Sequence, residues 1–96
     1  MKPSQALHVN RETIRRIVEA HRARNPRVFG STARGEDRED SDLDLLVDAT
    51  EHTTLLDLGG IQYDLQHILG VRVDVRTLGD LHPRMRAEVL REACPV

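Results

Sequence analysis

Two segments of the sequence alternate apolar and polar residues, and both carry aspartate on the polar face. In Asp42–Ala49 the apolar residues at odd positions face one way, while Asp42 and Asp44 face the other. In Val71–Thr77 three valines lie opposite Asp74. Because side chains in a strand alternate between the two faces of a sheet, each segment predicts a strand with one apolar face. Burying a carboxylate without a partner is unfavourable, so the acidic face predicts a site for a cation.

Helical periodicity and capping residues predict three helices around these strands. The predicted elements, in chain order, are a helix capped by Asn10 and ended by Asn25-Pro26, a strand Arg27–Gly30, the strand Asp42–Ala49, a helix Leu55–Leu69 capped by Thr53 or Thr54 and closed by Gly70, the strand Val71–Thr77, and a helix Leu81–Ala93 capped by Asp80 with Pro83 in its first turn. This order predicts an α/β fold with two layers. Helices cover one face of a small mixed sheet, and the other face is open to a ligand.

The longest predicted helix has an apolar stripe for the core and two adjacent glycines. The stripe consists of Leu55, Leu58, Ile61, Leu65, Ile68 and Leu69. Gly59 and Gly60 lie inside the helix, where each glycine lowers stability by roughly 1 kcal/mol relative to alanine. A break or a close backbone contact is therefore expected there. The opposite face carries Leu56, Gly59, Tyr63 and His67, a row that fits either a docking patch or ordinary partial exposure.

Length and composition predict a single soluble domain over residues 1–96. Hydrophobic residues make up 39% of the chain and charged residues 31%, which is typical of a globular protein. No apolar run approaches the roughly 20 residues that cross a bilayer, and the first residues lack the hydrophobic core of a signal peptide. The single cysteine, Cys94, excludes an internal disulfide and fits a reducing compartment. A cytoplasmic location is therefore expected, with no membrane partner.

Charge is distributed unevenly along the chain. Residues 1–35 carry eight Lys/Arg and two acidic residues, whereas residues 36–69 carry one Arg and ten acidic residues. A basic flank beside an acidic centre suits a polyanion held through metal ions better than it suits a nucleic-acid duplex. Direct binding of nucleic acid is therefore not expected. Solvated surface charge is the simpler alternative for such an asymmetry.

The aspartates and the preceding glycine-serine turn together predict a metal–triphosphate site. Asp42 and Asp44 are separated by about 6.6 Å along a strand, and Asp74 joins them if its strand pairs alongside. Few carboxylates with room for water and phosphate suit magnesium. Gly30 and Ser31 end the first strand, where backbone and hydroxyl groups can donate to phosphate oxygens. Arg34 lies close by in the sequence, and its positive guanidinium makes it a further candidate for phosphate binding.

Three other interpretations of these residues are weaker. Asp40, Asp42, Asp44 and Glu51 follow the spacing of a calcium loop, but that loop requires glycine where Leu45 stands. A P-loop is excluded because the sequence has no Gly-Lys-Ser/Thr. The third alternative, acidic residues on an edge strand, leaves the upstream Gly-Ser and the later aspartate unexplained.

The segment GSTARGEDREDSDLDLLV, with VDV at 73–75, resembles the nucleotidyltransferase superfamily pattern of Gly-Ser, a spacer, Asp-x-Asp and a later strand carboxylate. In its short length and in the residues of this motif, the chain is similar to the minimal nucleotidyltransferases, or MNT proteins. The resemblance extends from Val28 to the final helix. It implies that Gly30 and Ser31 hold triphosphate, that Asp42 and Asp44 bind magnesium, and that Asp74 completes the triad. MNT proteins are typically antitoxins, paired with a helical HEPN-type ribonuclease toxin.

The resemblance implies attack of an acceptor hydroxyl on the α-phosphorus of ATP, with two magnesium ions shared by the carboxylates. Asp74 is then a candidate to assist deprotonation of the acceptor. At 96 residues the chain is too short for the helical domain of larger relatives, so the acceptor is expected on another chain. We expect AMP to be attached to a hydroxyl side chain of the HEPN toxin, with tyrosine as the favoured residue.

Two alternative functions remain at this point. The first is a non-catalytic antitoxin that masks its toxin by binding and retains the site as a nucleotide sensor or relic. The presence of all three carboxylates favours the enzyme over this alternative. The second is transfer to a small molecule, which the short chain disfavours.

Overall fold

The computed structural model describes residues 1–96. No helix in it is both long enough and apolar enough to span a membrane. The elements, in chain order, are α1 Pro3–Val9, α2 Arg11–Ala20, β1 Ala23–Phe29, α3 Gly30–Ala33, β2 Leu43–Ala49, α4 Leu55–Leu69, β3 Val73–Arg76, a 3-10 turn Leu78–Asp80, α5 Pro83–Glu92 and β4 Cys94–Pro95.

The four strands form one mixed sheet in the order β3-β2-β1-β4. Strand β1 pairs antiparallel with β2 and with β4, whereas β2 and β3 are parallel. Parallel neighbours need a crossover connection, and α4 supplies it. The register between β2 and β3 aligns Asp44 with Asp74, so both side chains point to the same face of the sheet.

The main core lies between the opposite face of the sheet and the helices α1, α2 and α4. The inward residues of β2 are fully buried there, as the alternation predicts, and they contact buried residues of all three helices. These helix residues include Ala6, Ile14, Val18, Ile61 and Leu65. The predicted fold class is therefore confirmed, with one apolar sheet face covered by helices.

The sheet face that carries Asp44 is less open to solvent than expected because α5 lies across part of it. Phe29 of β1 and Leu46 of β2 point to this face, and both are buried against Leu81 and Val89. Burying the two sheet residues explains why the last helix crosses to this side. The acidic residues are left in a cleft beside α5.

The N-terminal segment differs from the expectation. Helix α1 has no counterpart in the predicted elements. Asn10 begins α2 without a side-chain capping bond, because its amide donates instead to the carbonyl oxygen of Ala6. Asn25 and Pro26 do not end a helix; they lie inside β1, where the register with β2 shifts. Proline has no N–H for a ladder, and the irregularity accommodates it.

The α4 prediction is largely confirmed. Thr54 and Asp57 form a reciprocal capping box at its start, and Gly70 closes the helix in the left-handed conformation. The predicted apolar stripe is wrong at two positions, since Leu55 and Ile68 are exposed rather than buried. The opposite row is exposed as expected, and the rings of Tyr63 and His67 stack with centroids 5.2 Å apart.

The C-terminal boundaries also need correction. Asp80 caps the 3-10 turn by accepting from the Thr77 N–H, and α5 begins later with His82 as its N-cap. Helix α5 ends at Glu92, because the next residues pair with β1 as the short strand β4. Strand β3 is likewise shorter than predicted.

The adjacent glycines of α4 neither break the helix nor have the same surroundings. A Cβ on Gly59 would meet nothing within 4 Å. A Cβ on Gly60 would lie 2.6 Å from Cε1 of His21, so the close contact there is with the residue that caps the end of α2. His21 is held in place by a 2.8 Å hydrogen bond between its Nε2 and Oδ2 of Asp64.

We expect Gly59→Ala to raise the free energy of unfolding by roughly 0.5–1 kcal/mol, because alanine favours helix and has space. Gly60→Ala should lower it instead, since the new methyl group must displace the His21 ring. Denaturant titration of both variants beside the wild type measures the difference. Equal gains at the two positions would contradict the described contact between α4 and α2.

Candidate active site

The three predicted carboxylates meet at one edge of the sheet. Asp44 lies near the start of β2 and is aligned with Phe29 of β1 on one side and with Asp74 of β3 on the other. Asp42 precedes the strand by one residue and is two residues from Asp44. The parallel register of β2 and β3 therefore satisfies the condition under which Asp74 was expected to share this face.

Two of the three carboxylates are paired with arginines from the same edge. Oδ1 of Asp42 is 2.9 Å from Nε of Arg72, and Nε of Arg76 donates to both oxygens of Asp74 at 3.2 and 3.1 Å. As they stand, no three acidic, histidine or cysteine side chains are close enough to hold a metal ion. The three carboxylates thus share one face by register but are not grouped as a metal site, since Asp42 and Asp74 pair with arginines instead.

Asp44 has no such partner. Burial has the largest effect on Asp44, and the neighbouring charges of Asp74 and Asp42 add to it. Together they raise the pKa of Asp44 to about 6. A half-buried carboxylate between two others, without a cation of its own, is the donor chemistry that suits a hard divalent ion. The residues present therefore fit the magnesium ions implied by the sequence.

The Gly-Ser turn lies directly against Asp44. Gly30 begins the short helix α3, where a loop was expected, with a left-handed φ of 73°. A Cβ at this position would overlap Oδ2 of Asp44. Only glycine satisfies both the backbone conformation and the close approach. The half-buried Ser31 follows it.

Arg34 is not a free cation. Its Nε donates to Glu36 at 2.7 Å and its Nη1 to Glu92 at 3.0 Å. These two bonds raise the pKa of the Arg34 guanidinium above its ordinary value, and the bond to Glu36 has the larger effect. Glu92 also accepts from the backbone N–H of Gly30 at 2.6 Å. No sequence pattern indicates this contact, because 62 positions separate Glu92 from Gly30.

Two cavities adjoin the carboxylates and share three lining residues, Phe29, Asp44 and Met85. The larger, about 500 Å³, lies toward β3 and includes Asp74 and Arg76 among its lining residues. The smaller, about 220 Å³, lies toward β1 and includes Gly30 and Arg34. Asp44 therefore separates a cavity beside the Gly-Ser turn from a cavity beside the third aspartate.

Several residues of the site were not recognised from the sequence. Arg72 and Arg76 alternate with Asp74, and this pattern placed them on the acidic face without indicating that they pair with the aspartates. Phe29 and Met85 carry no local signal, since they meet at the cavities only after α5 folds across the sheet.

Residues 11–96 match the family model of the nucleotidyltransferase domain. The chain belongs to this family. It is 41% identical over 80 residues to MJ0435 of Methanocaldococcus jannaschii, an inferred protein adenylyltransferase, with 83% of this chain and 86% of that protein covered. It is 39% identical over 89 residues to the protein adenylyltransferase MntA of Thermococcus cleftensis, with 84% and 90% covered.

Solved structures agree with the family assignment. A structure described as an inferred minimal nucleotidyltransferase superposes with a TM-score of 0.87 at 49% identity, covering 97% of this chain and 95% of that one. A toxin–antitoxin solved with AMP-PNP superposes with a TM-score of 0.76 over 90% of this chain and 71% of that one. Its 19% identity shows the fold alone. The predicted resemblance to minimal nucleotidyltransferases, the fold and the assignment as a nucleotidyltransferase enzyme are confirmed.

The raised pKa of Asp44 predicts a pH-dependent gain from Asp44→Asn in metal-free buffer. The folded pKa of about 6 lies above the ordinary 3.8, so the charged form destabilises the fold. That penalty is absent below about pH 4, grows as the pH rises, and is complete above about pH 7. We expect Asp44→Asn to raise the free energy of unfolding at about pH 7.5 by about 1–2 kcal/mol, discounted for solvent screening.

The gain should disappear at about pH 4, where the wild-type carboxyl is protonated in the folded state. Asp42→Asn is the matched control. It loses the ion pair with Arg72 and relieves only part of the repulsion on Asp44, so any gain should be clearly smaller. Chemical denaturation with EDTA at both pH values gives the comparison. A gain from Asp44→Asn that is independent of pH would rule out the charge as its cause.

Proposed function

We propose that this chain is the antitoxin of a toxin–antitoxin pair and acts by attaching AMP from ATP to its toxin. The observation that carries the proposal is the position of Asp44, which touches the Gly-Ser turn on one side and is aligned with Asp74 on the other. Support comes from relatives named as protein adenylyltransferases and from a toxin–antitoxin of the same fold solved with AMP-PNP.

Residues 1–96 act in this proposal as one nucleotidyltransferase domain, since α1 contributes Ala6 and Leu7 to the same core as the sheet. The unpaired, exposed Cys94 fits a reducing cytoplasm. ATP and magnesium are plentiful in that compartment, so the proposed location and the proposed chemistry agree.

Asp42, Asp44 and Asp74 are the residues that would hold magnesium. When bound, two magnesium ions supply Lewis acidity at the attacking oxygen and neutralise charge on the leaving pyrophosphate. To serve as ligands, Asp42 and Asp74 would have to give up their bonds with Arg72 and Arg76. Asp44 needs no such exchange, since it has no cationic partner to release.

The triphosphate belongs on the β1 side of Asp44. The backbone N–H groups and hydroxyl at Gly30 and Ser31 donate to phosphate oxygens there, and Arg34 supplies positive charge. The acceptor belongs on the β3 side, in the larger cavity. This division follows from the sheet order, because β1 and β3 flank β2 on opposite sides.

The transfer forms one bond and breaks one. The acceptor hydroxyl oxygen bonds to the α-phosphorus, and the bond from that phosphorus to the oxygen of pyrophosphate breaks, with pyrophosphate keeping the electron pair. Asp74 lines the acceptor cavity and takes the hydroxyl proton. The residues contribute chiefly by positioning the reactants and neutralising their charge.

The acceptor in this proposal is the hydroxyl group of a tyrosine side chain on a helical HEPN-type ribonuclease toxin. An AMP group beside a ribonuclease active site adds negative charge that repels the phosphates of RNA, so one modification suffices to block the toxin. The larger cavity, with apolar Phe29, Leu81 and Met85 beside its acids, has room for an aromatic side chain.

A second candidate is an antitoxin that masks the toxin by binding and uses the site as a nucleotide sensor or relic. The exposed row on α4 is the surface on which such binding would occur, because Leu56 is 86% and Tyr63 64% exposed. Both functions need a bound partner, and only the first needs the aspartates.

We expect co-expression with the partner toxin to add one or more AMP units to the toxin. The double substitution Asp42→Asn/Asp44→Asn should abolish this gain because it removes two of the three proposed metal ligands, while the fold remains. Intact-mass measurement reads the modification and circular dichroism checks the fold. Neutralised toxicity without any mass change, in both wild type and variant, would favour the masking antitoxin.

We also expect Gly30→Ala to weaken ATP binding strongly, because its methyl group overlaps Asp44 and blocks the approach of phosphate. Gly35→Ala is a matched control, since Gly35 has a φ of 74° but nothing within 4 Å of the place its methyl group would occupy. Both variants suffer a similar backbone strain, and Gly30→Ala adds the overlap with Asp44, so it should lower the thermal unfolding temperature more than Gly35→Ala does. ATP titration in magnesium should separate them, and equal affinities would exclude the proposed phosphate site at Gly30.

A further inference from the structure

Glu92 holds two of the three groups that the proposed function assigns to the triphosphate. Its Oε2 accepts from the Gly30 N–H at 2.6 Å, and its Oε1 accepts from Nη1 of Arg34 at 3.0 Å. The side chain is only 18% exposed. Both carboxylate oxygens are therefore already engaged where phosphate oxygens are proposed to bind.

The backbone at Glu92 is fixed on both sides. Val89, three residues earlier in α5, is buried against Phe29 and Leu46, and Cys94, two residues later, pairs with Val28 in the sheet. The helix cannot move away without opening this packing. The carboxylate can leave the Gly-Ser turn only by rotation of its own side chain.

The smaller cavity has an excess of negative charge. Three carboxylates line it, those of Asp44, Glu88 and Glu92, against the single guanidinium of Arg34. A free triphosphate entering this cavity meets like charge from all three. A triphosphate neutralised by metal meets much less.

We propose that Glu92 is a specificity-determining residue that admits the nucleotide only as its metal complex. Its carboxylate occupies the anion positions of the Gly-Ser turn and of Arg34. Free triphosphate competes poorly for these positions, because it must displace a charged side chain and then remain beside it. The inference rests on the proposed function, since it concerns the same triphosphate site.

Glu92→Gln separates the charge from the shape of this side chain. Glutamine is isosteric, and its amide oxygen still accepts from Gly30, so the turn keeps its partner. Its other terminal group is an amide NH2, which donates and cannot accept from Arg34, so that hydrogen bond is lost and the repulsion of phosphate is removed. Glu88→Gln is the matched control. It removes one charge from the same cavity, one turn earlier on α5, and Glu88 makes no hydrogen bond to Gly30 or Arg34.

The experiment is isothermal titration with ATP, in EDTA and in excess magnesium at equal ionic strength, against wild type and both variants. In EDTA we expect Glu92→Gln to tighten ATP binding by about tenfold, the change that follows from roughly one charge-assisted hydrogen bond. Glu88→Gln should tighten it by less than about threefold. In magnesium the three affinities should lie closer together.

Two results would overturn the inference. Equal effects of the two variants in EDTA would mean that only the net charge of the cavity matters. Weaker binding by Glu92→Gln than by wild type would make Glu92 a support for the turn rather than a competitor of phosphate. Failure of wild type to bind ATP in magnesium is a different result, since it would refute the proposed function itself.

Glu92→Asp gives a second measurement that does not depend on the glutamine variant folding. Aspartate keeps the charge but is one methylene shorter, so it cannot reach both Gly30 and Arg34 from the fixed backbone. We expect a tightening in EDTA smaller than that from glutamine but larger than that from Glu88→Gln. An affinity unchanged from wild type would contradict the role of the two contacts.

Discussion

Repulsion among three carboxylates at one edge of the sheet is the constraint on which the site depends. The register of β2 and β3 places Asp44 beside Asp74, and Asp42 lies two residues away. Two of these charges are offset by Arg72 and Arg76, and the third is not. The raised pKa of Asp44 is the direct consequence of burial and of the neighbouring carboxylates. A divalent cation at this position would relieve the repulsion that the arginines only partly offset.

Helix α5 converts this acidic edge into a cleft. Val89 of the helix and Leu81, just before it, pack onto Phe29 and Leu46, which closes part of a sheet face that would otherwise be open. The same helix brings Met85 to both cavities and Glu92 to the Gly-Ser turn. The apolar contacts of α5 therefore fix the position of polar groups that act on the ligand. Stability and specificity are linked through one element.

The arginines of the site share one arrangement, in which each has an internal carboxylate partner. Arg34 is shared by Glu36 and Glu92, and Arg76 is held by Asp74. A ligand must exchange these bonds rather than fill vacant positions. Asp44 is the exception among the aspartates, and an incoming metal can reach it without displacing an internal cation.

The sequence by itself determined the strands β2 and β3, the helix α4 with its caps at Thr54 and Gly70, and the face that carries the aspartates. These features depend on periodicity and on residues within one turn of each other, which are local properties of the chain. The tertiary structure alone decided the pairing of Asp42 with Arg72, the crossing of α5 and the contact of Glu92 with Gly30. Those contacts join residues far apart in sequence. The first follows from the parallel pairing of β2 with β3, and the other two form because burying Phe29 and Leu46 requires a helix whose position no local pattern specifies.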